Sequence, residues 1–349
     1  MRSVDVIVPC YRYAHFLETC LATVLSQRDV DVRVLIVDDC SPDNTPDVSA
    51  RLVASDQRIS YVRNASNLGL IGTMNRGLEW ATAEYVLVLS ADDALTAGAL
   101  ARAVDALESH PDASMAYGPA RVISGDKKPD EVADVLTPTY TLVEGARFIE
   151  ISCVVGNPAP APTAVVRTNL IKQTGGYLPE FSYTSDMEMW MRMATLGSIV
   201  AIKEHQAFYR WHGSNMSSSL DRRADLNVRI ETCEFVYKNW NGQNVAGFRA
   251  ALQAMRKSVV REVVPLIAIA IDQSDWKQYH AYMTFLSEVT PSWRWSEDWL
   301  RLVAKRRMGW KLRQTSLGKA IGTLRQRQGA GDAWRQGTGD TFGWLPPSR

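Results

Sequence analysis

The sequence predicts an α/β protein with a mostly parallel central sheet, helices on both faces, and a helical C-terminal region. Three observations predict it. Short runs of β-branched and leucine residues alternate with helical patterns through the first half of the chain. Runs that are apolar on both sides suit a parallel sheet buried between two helix layers, whereas half-exposed antiparallel strands would alternate with polar residues. The strand runs end in polar or acidic residues, which such sheets collect along one edge. Beyond about residue 219, glycine and proline become sparse while helical spacing continues to about residue 327.

The elements follow in order. "VDVIVP" is a buried strand, and a helical pattern runs from about Ala14 to Gln27. "VRVLIVD" is the second strand, and "SPDNTPDVSARLVAS" opens a helix after a turn. "RISYVRN" and "LIGTMNRGLEWA" give the third pair, and "YVLVLS" and "TAGALARAVDALESHP" the fourth. The strand ends, Pro9-Cys10-Tyr11, Asp38-Asp39, Asn64 and Asp92-Asp93, should therefore converge on one rim. "ASMAYGPARVIS" reads as a strand or hairpin and "GDKKPDEVADVLTPT" as a polar excursion. "GNPAPAPTAVV" is a rigid loop entering a strand, and "TNLIKQTGGY" a short helix stopped by Gly175 and Gly176. "SDMEMWMRMATLG" is an amphipathic helix with Ser185 or Asp186 near its start, and "IVAIKEHQAFYRWH" supplies closing strands. The expected division is 1–218 for the α/β domain, 219–328 for the helical region and 329–349 for a loosely ordered tail.

Composition excludes several classes. A formal net charge of +1 argues against a nucleic-acid partner bound through bulk charge. Five scattered cysteines without CxxC spacing read as reduced thiols, neither a disulfide frame nor a zinc site. The N-terminal apolar run is too short for a signal peptide, and no apolar run reaches membrane-span length. The expected location is the cytoplasm.

Five segments carry a resemblance: "VIVPCYRYAHFLETCLATVLSQ", "LIVDDCSPDNT", "RNASNLGLIGTMNRGL", "YVLVLSADDAL" and "SYTSDMEMWMRMATLG". In order and spacing they resemble inverting family 2 glycosyltransferases of the GT-A fold, over roughly residues 4 to 216. The resemblance implies a UDP-, dTDP- or GDP-linked sugar donor. It also implies a saccharide or polyprenyl-diphosphate-linked acceptor, and a role in cell-surface polysaccharide synthesis. A non-catalytic nucleotide-sugar-binding or scaffold protein on the same fold is the alternative.

The chemistry of transfer assigns expected roles. A departing nucleoside diphosphate gains charge, and a divalent cation held by carboxylates stabilises it. "SADD" stands where the family carries its aspartate-rich metal motif, with Ser90 replacing the usual first aspartate. The resemblance makes Asp92 the preferred ligand for Mn²⁺ or Mg²⁺ and Asp93 a second ligand or a ribose contact, with His212 in "YRWHGSNMS" approaching the metal or diphosphate. It makes Asp39 the contact to the base, with Asp38 joining it or supporting the loop. Pro9 and Tyr11 form the first donor loop, Tyr11 stacking on the base, and Asn67 and Gly69 shape the ribose side. Inversion needs one carboxylate as general base, and Asp186 matches the family's, with Glu188 as its substitute. The competing reading makes Asp186 a helix cap, with Glu188 and Arg192 on a solvated face.

The C-terminal region carries a separate signal. Nine basic and no acidic residues lie between Arg301 and Arg327, with Trp310 and leucines interleaved at roughly helical spacing. This suits a helix docked on an anionic membrane surface, at the inner face of the cell membrane, a bundle helix with a cationic face, or a dimer contact that makes the region oligomerising.

Overall fold

The computed structural model describes residues 2–130, 134–135, 138–212, 221–240, 242–313 and 341–343, and the side chains of this set except those of 307–313, 341 and 342. Strands β1 (Ser3–Cys10), β2 (Asp31–Asp38), β3 (Ile59–Arg63) and β4 (Tyr85–Val88) form a parallel block in the order β3-β2-β1-β4. Helices α1 (Ala14–Leu25), α2 (Thr45–Ser55) and α3 (Gly69–Trp80) connect them. Strands β6 (Ala113–Tyr117), β8 (Tyr140–Val143), β9 (Val165–Arg167) and β10 (Ser198–Ile202) extend the block to eight strands. β9 runs antiparallel between β4 and β6, and β8 is an antiparallel edge.

Burial on both faces is what the continuous apolar runs demand. Val4, Val6 and Val8 of β1 pack with Leu17 and Leu21 of α1 and with Leu100 of α4 (Ala99–Ser109). Ile7 points the other way, into a core shared with Met74 of α3, Phe148 of α5 (Gly145–Val155) and Trp190 of α7 (Ser185–Leu196). That second core continues into the C-terminal helices α8 (Arg222–Asn239), α9 (Phe248–Asp272) and α10 (Trp276–Val289), through Ile230, Val259 and Leu286. The short helix α6 (Thr168–Gln173) is stopped at Gly175 and Gly176, both with positive φ.

The segment read as a strand or hairpin is two strands in different sheets. β6 stays in the large sheet, while β7 (Ala120–Ser124) joins a small sheet with β5 (Ala94–Leu95), β11 (Ala207–Trp211) and β12 (Thr341–Phe342). They part at Gly118, where a Cβ would meet the Glu204 carbonyl oxygen at 2.8 Å. β5, β8, α5 and β12, which pairs with β7 within the stretch expected to be a loosely ordered tail, have no counterpart in the sequence reading.

The last described helix, α11 (Glu297–Arg313), carries the start of the basic segment. Arg301 pairs with Glu297, and Arg306 reaches Asp272 at 2.9 Å and the Ala268 carbonyl at 2.8 Å. The Trp310 side chain, residues 314–327 and most of the tail lie outside the described residues. No helix among the described residues is long and apolar enough to cross a membrane.

Candidate active site

The parallel block builds the site. Its ladder continues past the strand ends: the Asp39 N–H donates to the Cys10 carbonyl at 2.9 Å and the Asn64 N–H to the Asp38 carbonyl at 2.8 Å. On the other side of β1, the Leu89 N–H donates to Ile7 and the Ala91 N–H to Pro9. The chains therefore stay in register until they deliver Asp39 and Asp92-Asp93 to either side of Pro9-Cys10. A cavity of about 510 Å³ opens there, lined on this wall by Pro9, Tyr11, Asp39, Ser90, Asp92 and Asp93.

Neighbours hold each acid differently. Asp39 Oδ1 accepts from Asn64 Nδ2 at 2.8 Å and from the Leu68 N–H at 2.7 Å, so its other oxygen is the one left for a ligand. Asn67 Oδ1 accepts from the Gly69 N–H at 3.0 Å, and Gly69 (φ 73°) starts α3 in the left-handed region. Asp38 is fully buried and does not line the cavity. Its oxygens take the Ser41 N–H at 2.8 Å and the Tyr61 hydroxyl at 2.9 Å, which fixes the loop that carries Asp39. Arg63 likewise serves the loop, donating to the Ser41 carbonyl at 3.0 Å.

The small sheet completes the acidic wall. β5 pairs with β11, which brings the Arg210 N–H to Asp93 Oδ1 at 2.8 Å and His212 Nε2 to Asp92 Oδ2 at 2.9 Å. Burial, and then the neighbouring Asp92, push the Asp93 carboxyl well above the usual aspartate range. Among the described residues no group of three His, Cys, Asp or Glu side chains surrounds a common point. Asp92 and His212 nevertheless suit a shared cation. Two adjacent ligands of an octahedral ion bound at about 2.1 Å stand roughly 3 Å apart, close to the separation seen here. Asp93 Oδ1 is taken by the Arg210 N–H, which leaves its other oxygen free of that bond on the same cavity.

The opposite wall is made by the start of α7, with Ser185 and Asp186 on the cavity, and by Tyr177 and Tyr183 of the segment before it. Asp186 sits in the first turn of the helix; its Oδ1 accepts the Met187 N–H at 2.8 Å and its Oδ2 the Asn157 amide at 2.7 Å. No cation pairs with it in these contacts, and burial pushes its carboxyl up to about 6. Glu188, two residues on, has the opposite fate. Both it and Arg192 are fully buried rather than on a solvated face. Arg192 Nη2 donates to Glu188 at 2.5 Å and to the Gly176 carbonyl at 2.8 Å, and Nη1 to the Thr174 carbonyl at 2.8 Å. Glu188 is therefore structural and does not line the cavity.

The structure thus gathers Pro9, Tyr11, Asp39, Asn67, Gly69, Asp92, Asp93 and Asp186 round one cavity. His212 stands behind Asp92. Tyr13, which approaches His212 Nε2 at 3.3 Å, and Asn157 escaped the sequence reading.

A parallel sheet covered on both faces, with an acidic cavity beyond its strand ends, is the architecture of an α/β enzyme that binds its ligand at that edge. Comparison narrows the class: the family model "Glycosyl transferase family 2" matches residues 5–161, and the chain belongs to that family. An uncharacterised protein of Mycobacterium tuberculosis (strain CDC 1551 / Oshkosh) is 30% identical over 217 residues, 60% of this chain and 67% of that one. The GalNAc(5)-diNAcBac-PP-undecaprenol beta-1,3-glucosyltransferase of Campylobacter jejuni is 36% identical over 101 residues, 29% of this chain and 33% of that one. The chain thus spans about two thirds of the first relative's length and a third of the second's. The fold is GT-A, as in the crystal structure of S. aureus TarS 1-349 in complex with UDP-GlcNAc, at 16% identity. That match has a TM-score of 0.51 and covers 84% of this chain and 92% of that one.

Proposed function

We propose that the chain is a metal-dependent, inverting glycosyltransferase that moves a sugar from a nucleotide-sugar donor to a hydroxyl of a saccharide or lipid-linked saccharide. The observation that carries this reading is the division of one cavity between an acidic strand-end wall and a separate carboxylate, Asp186, with raised proton affinity. The nucleotide lies along the strand-end wall: Tyr11 stacks on the base, Asp39 accepts a base N–H, and Asn67 and Gly69 border the ribose. Asp92 and His212 would hold Mn²⁺ or Mg²⁺, which as a Lewis acid offsets the charge gained by the leaving diphosphate. From the other wall Asp186 takes the acceptor hydroxyl's proton as its oxygen attacks the sugar's anomeric carbon and the bond to the diphosphate breaks. One base suffices, because a single displacement inverts the configuration without a covalent intermediate. UDP-GlcNAc in the TarS complex supports a nucleotide-sugar donor, and the Campylobacter relative's name supports a polyprenyl-diphosphate-linked acceptor.

A thermal-shift screen of UDP, dTDP and GDP, with and without Mn²⁺, tests the donor side, because selective binding raises apparent stability. One nucleoside diphosphate is expected to stabilise the protein only with metal, and Asp92→Asn should remove the metal dependence. Equal shifts with and without Mn²⁺ would sink the assignment of Asp92 and His212.

A further inference from the structure

The loop after α5 meets the first turn of α7 through a closed set of hydrogen bonds. Asn157 Nδ2 donates to Asp186 Oδ2 at 2.7 Å, and Asn157 Oδ1 accepts the Ala159 N–H at 3.3 Å. The second bond fixes the amide's orientation, since the carbonyl end is taken and the NH₂ end must face the carboxylate. Ala159 is held in turn, its carbonyl accepting from Trp190 Nε1 at 3.1 Å. Trp190 lies one turn beyond Asp186 on the same helix, so the loop is tied to α7 at two levels.

What aims Asn157 lies outside the cavity. α5 ends at Gly156, whose φ of 91° belongs to the left-handed half of backbone space and turns the chain toward α7. Two residues before it, the Val154 carbonyl accepts from Ser258 of α9 at 2.9 Å. α9 thus holds the end of α5 and, through it, the loop.

We propose that Asn157 is the positioning residue of the base: its amide orients the Asp186 carboxylate at the cavity wall and stabilises its charged form. The proposal rests on reading Asp186 as the base. Other groups facing this carboxylate do not supply what Asn157 supplies. Tyr177, from the turn after α6, is neutral near pH 7, because burial pushes its hydroxyl upward. Glu188 and Arg192, on α7 itself, are committed to each other, and the charge of Glu180 acts on Glu188. Asp92 and Asp93 face it only across the cavity and can only disfavour its charge. Burial raises the Asp186 carboxyl; the Met187 N–H opposes this, and among the described residues the Asn157 hydrogen bond is the side-chain contact that does so.

Folding linkage reads the Asp186 carboxyl without any substrate. Denaturant unfolding of the full chain would be measured from pH 4 to pH 8 for the unaltered protein, D186N, N157A and the double variant. An unfolded aspartate titrates near ~3.9 and the folded one near 6, so between these values the folded state binds more protons. The stability of the unaltered protein relative to D186N should therefore fall as pH rises from about 4 to about 6 and then level off. Without the Asn157 amide the fall should continue to roughly one pH unit higher. Loss of a merely structural contact would lower the whole curve without moving its limb. Should N157A fail to fold, N157D keeps the shape, adds a second carboxylate and should move the limb further up. A limb in the same place with and without Asn157 overturns the proposal, even if Asp186 is the base. Normal turnover by D186N would overturn the base reading and leave the limb result standing.

Discussion

The two walls of the cavity present negative charge differently, as three carboxylates gathered along the strand ends and one standing apart on α7. On the strand-end wall Asp39, Asp92 and Asp93 are held by backbone N–H groups, an asparagine and a histidine. On the α7 wall Asp186 stands apart from those acids; burial raises its proton affinity, as it does that of Asp93, and the Met187 N–H and the Asn157 amide oppose this. The first wall suits a ligand that brings its own cation and phosphates. The second suits a group that must take up a proton near neutral pH. Two residues along the same helix, the buried Glu188–Arg192 pair shows what an acid with a cation partner becomes instead, a fastener. Position on an element therefore says less about an acid's role than the partner it is given.

The sharpest way to break this contrast is at Asp186. Asp186→Asn keeps the shape and removes the proton acceptor. Turnover should fall by roughly 10² to 10⁴, with nucleoside diphosphate affinity within about threefold, since that ligand lies on the other wall. Rate and binding would be measured separately on the same preparation. Near-normal turnover would leave Asp186 as a helix-end residue and the contrast without a functional meaning.

The fastener gives the second test. Glu188→Ala leaves Arg192 buried without its carboxylate, and breaking such a pair costs about 3–5 kcal/mol. The lower end is expected, because Arg192 keeps the Thr174 and Gly176 carbonyls. Denaturant unfolding should show that loss in the midpoint, with an unchanged slope. A cost below about 1 kcal/mol would mean that the pair behaves like a surface one.

How much of this was legible in the sequence follows from how local each signal is. β1 to β4 and α1 to α4 are readable because the strands are apolar or β-branched runs and each helix repeats its own period. The rim was readable for the same reason, since strand direction alone places Asp39 and Asp92 at one edge. β5 has two residues, and β8 is short and half-exposed at an edge, so neither carries a clear period. Glu188 and Arg192 looked solvated because an i, i+4 ion pair normally is. What buries α7 includes α8 and α9, which lie far along the chain and complete its core. Asn157 acts through a bond to a residue 29 positions away, and nothing in "GNPAPAP" announces that partner.

The smallest expected effect is at the edge of the strand-end wall, where Tyr11 lies 38% exposed on the cavity. The loop that carries it is well held. Arg12 has a φ of 65°, its N–H donates to Ser41 Oγ at 3.2 Å, and its guanidinium carbon lies 5.2 Å from the Tyr11 ring centroid. A ring fixed from one side by a cation and open on the other is a platform for a planar base. Tyr11→Ala should therefore weaken the selected nucleoside diphosphate by about 3- to 10-fold, the scale of one aromatic contact near 1 kcal/mol. Tyr11→Phe should bind within about twofold of the unaltered protein, because stacking uses the ring and not the hydroxyl. Metal dependence should survive in both variants, since Asp92 and His212 are untouched. Calorimetric titration separates these outcomes. If Tyr11→Ala binds as tightly as the unaltered protein, the base lies elsewhere and Asp39 alone anchors it on this wall. If Tyr11→Phe weakens binding as much as Tyr11→Ala, the hydroxyl is the contact and the platform reading fails.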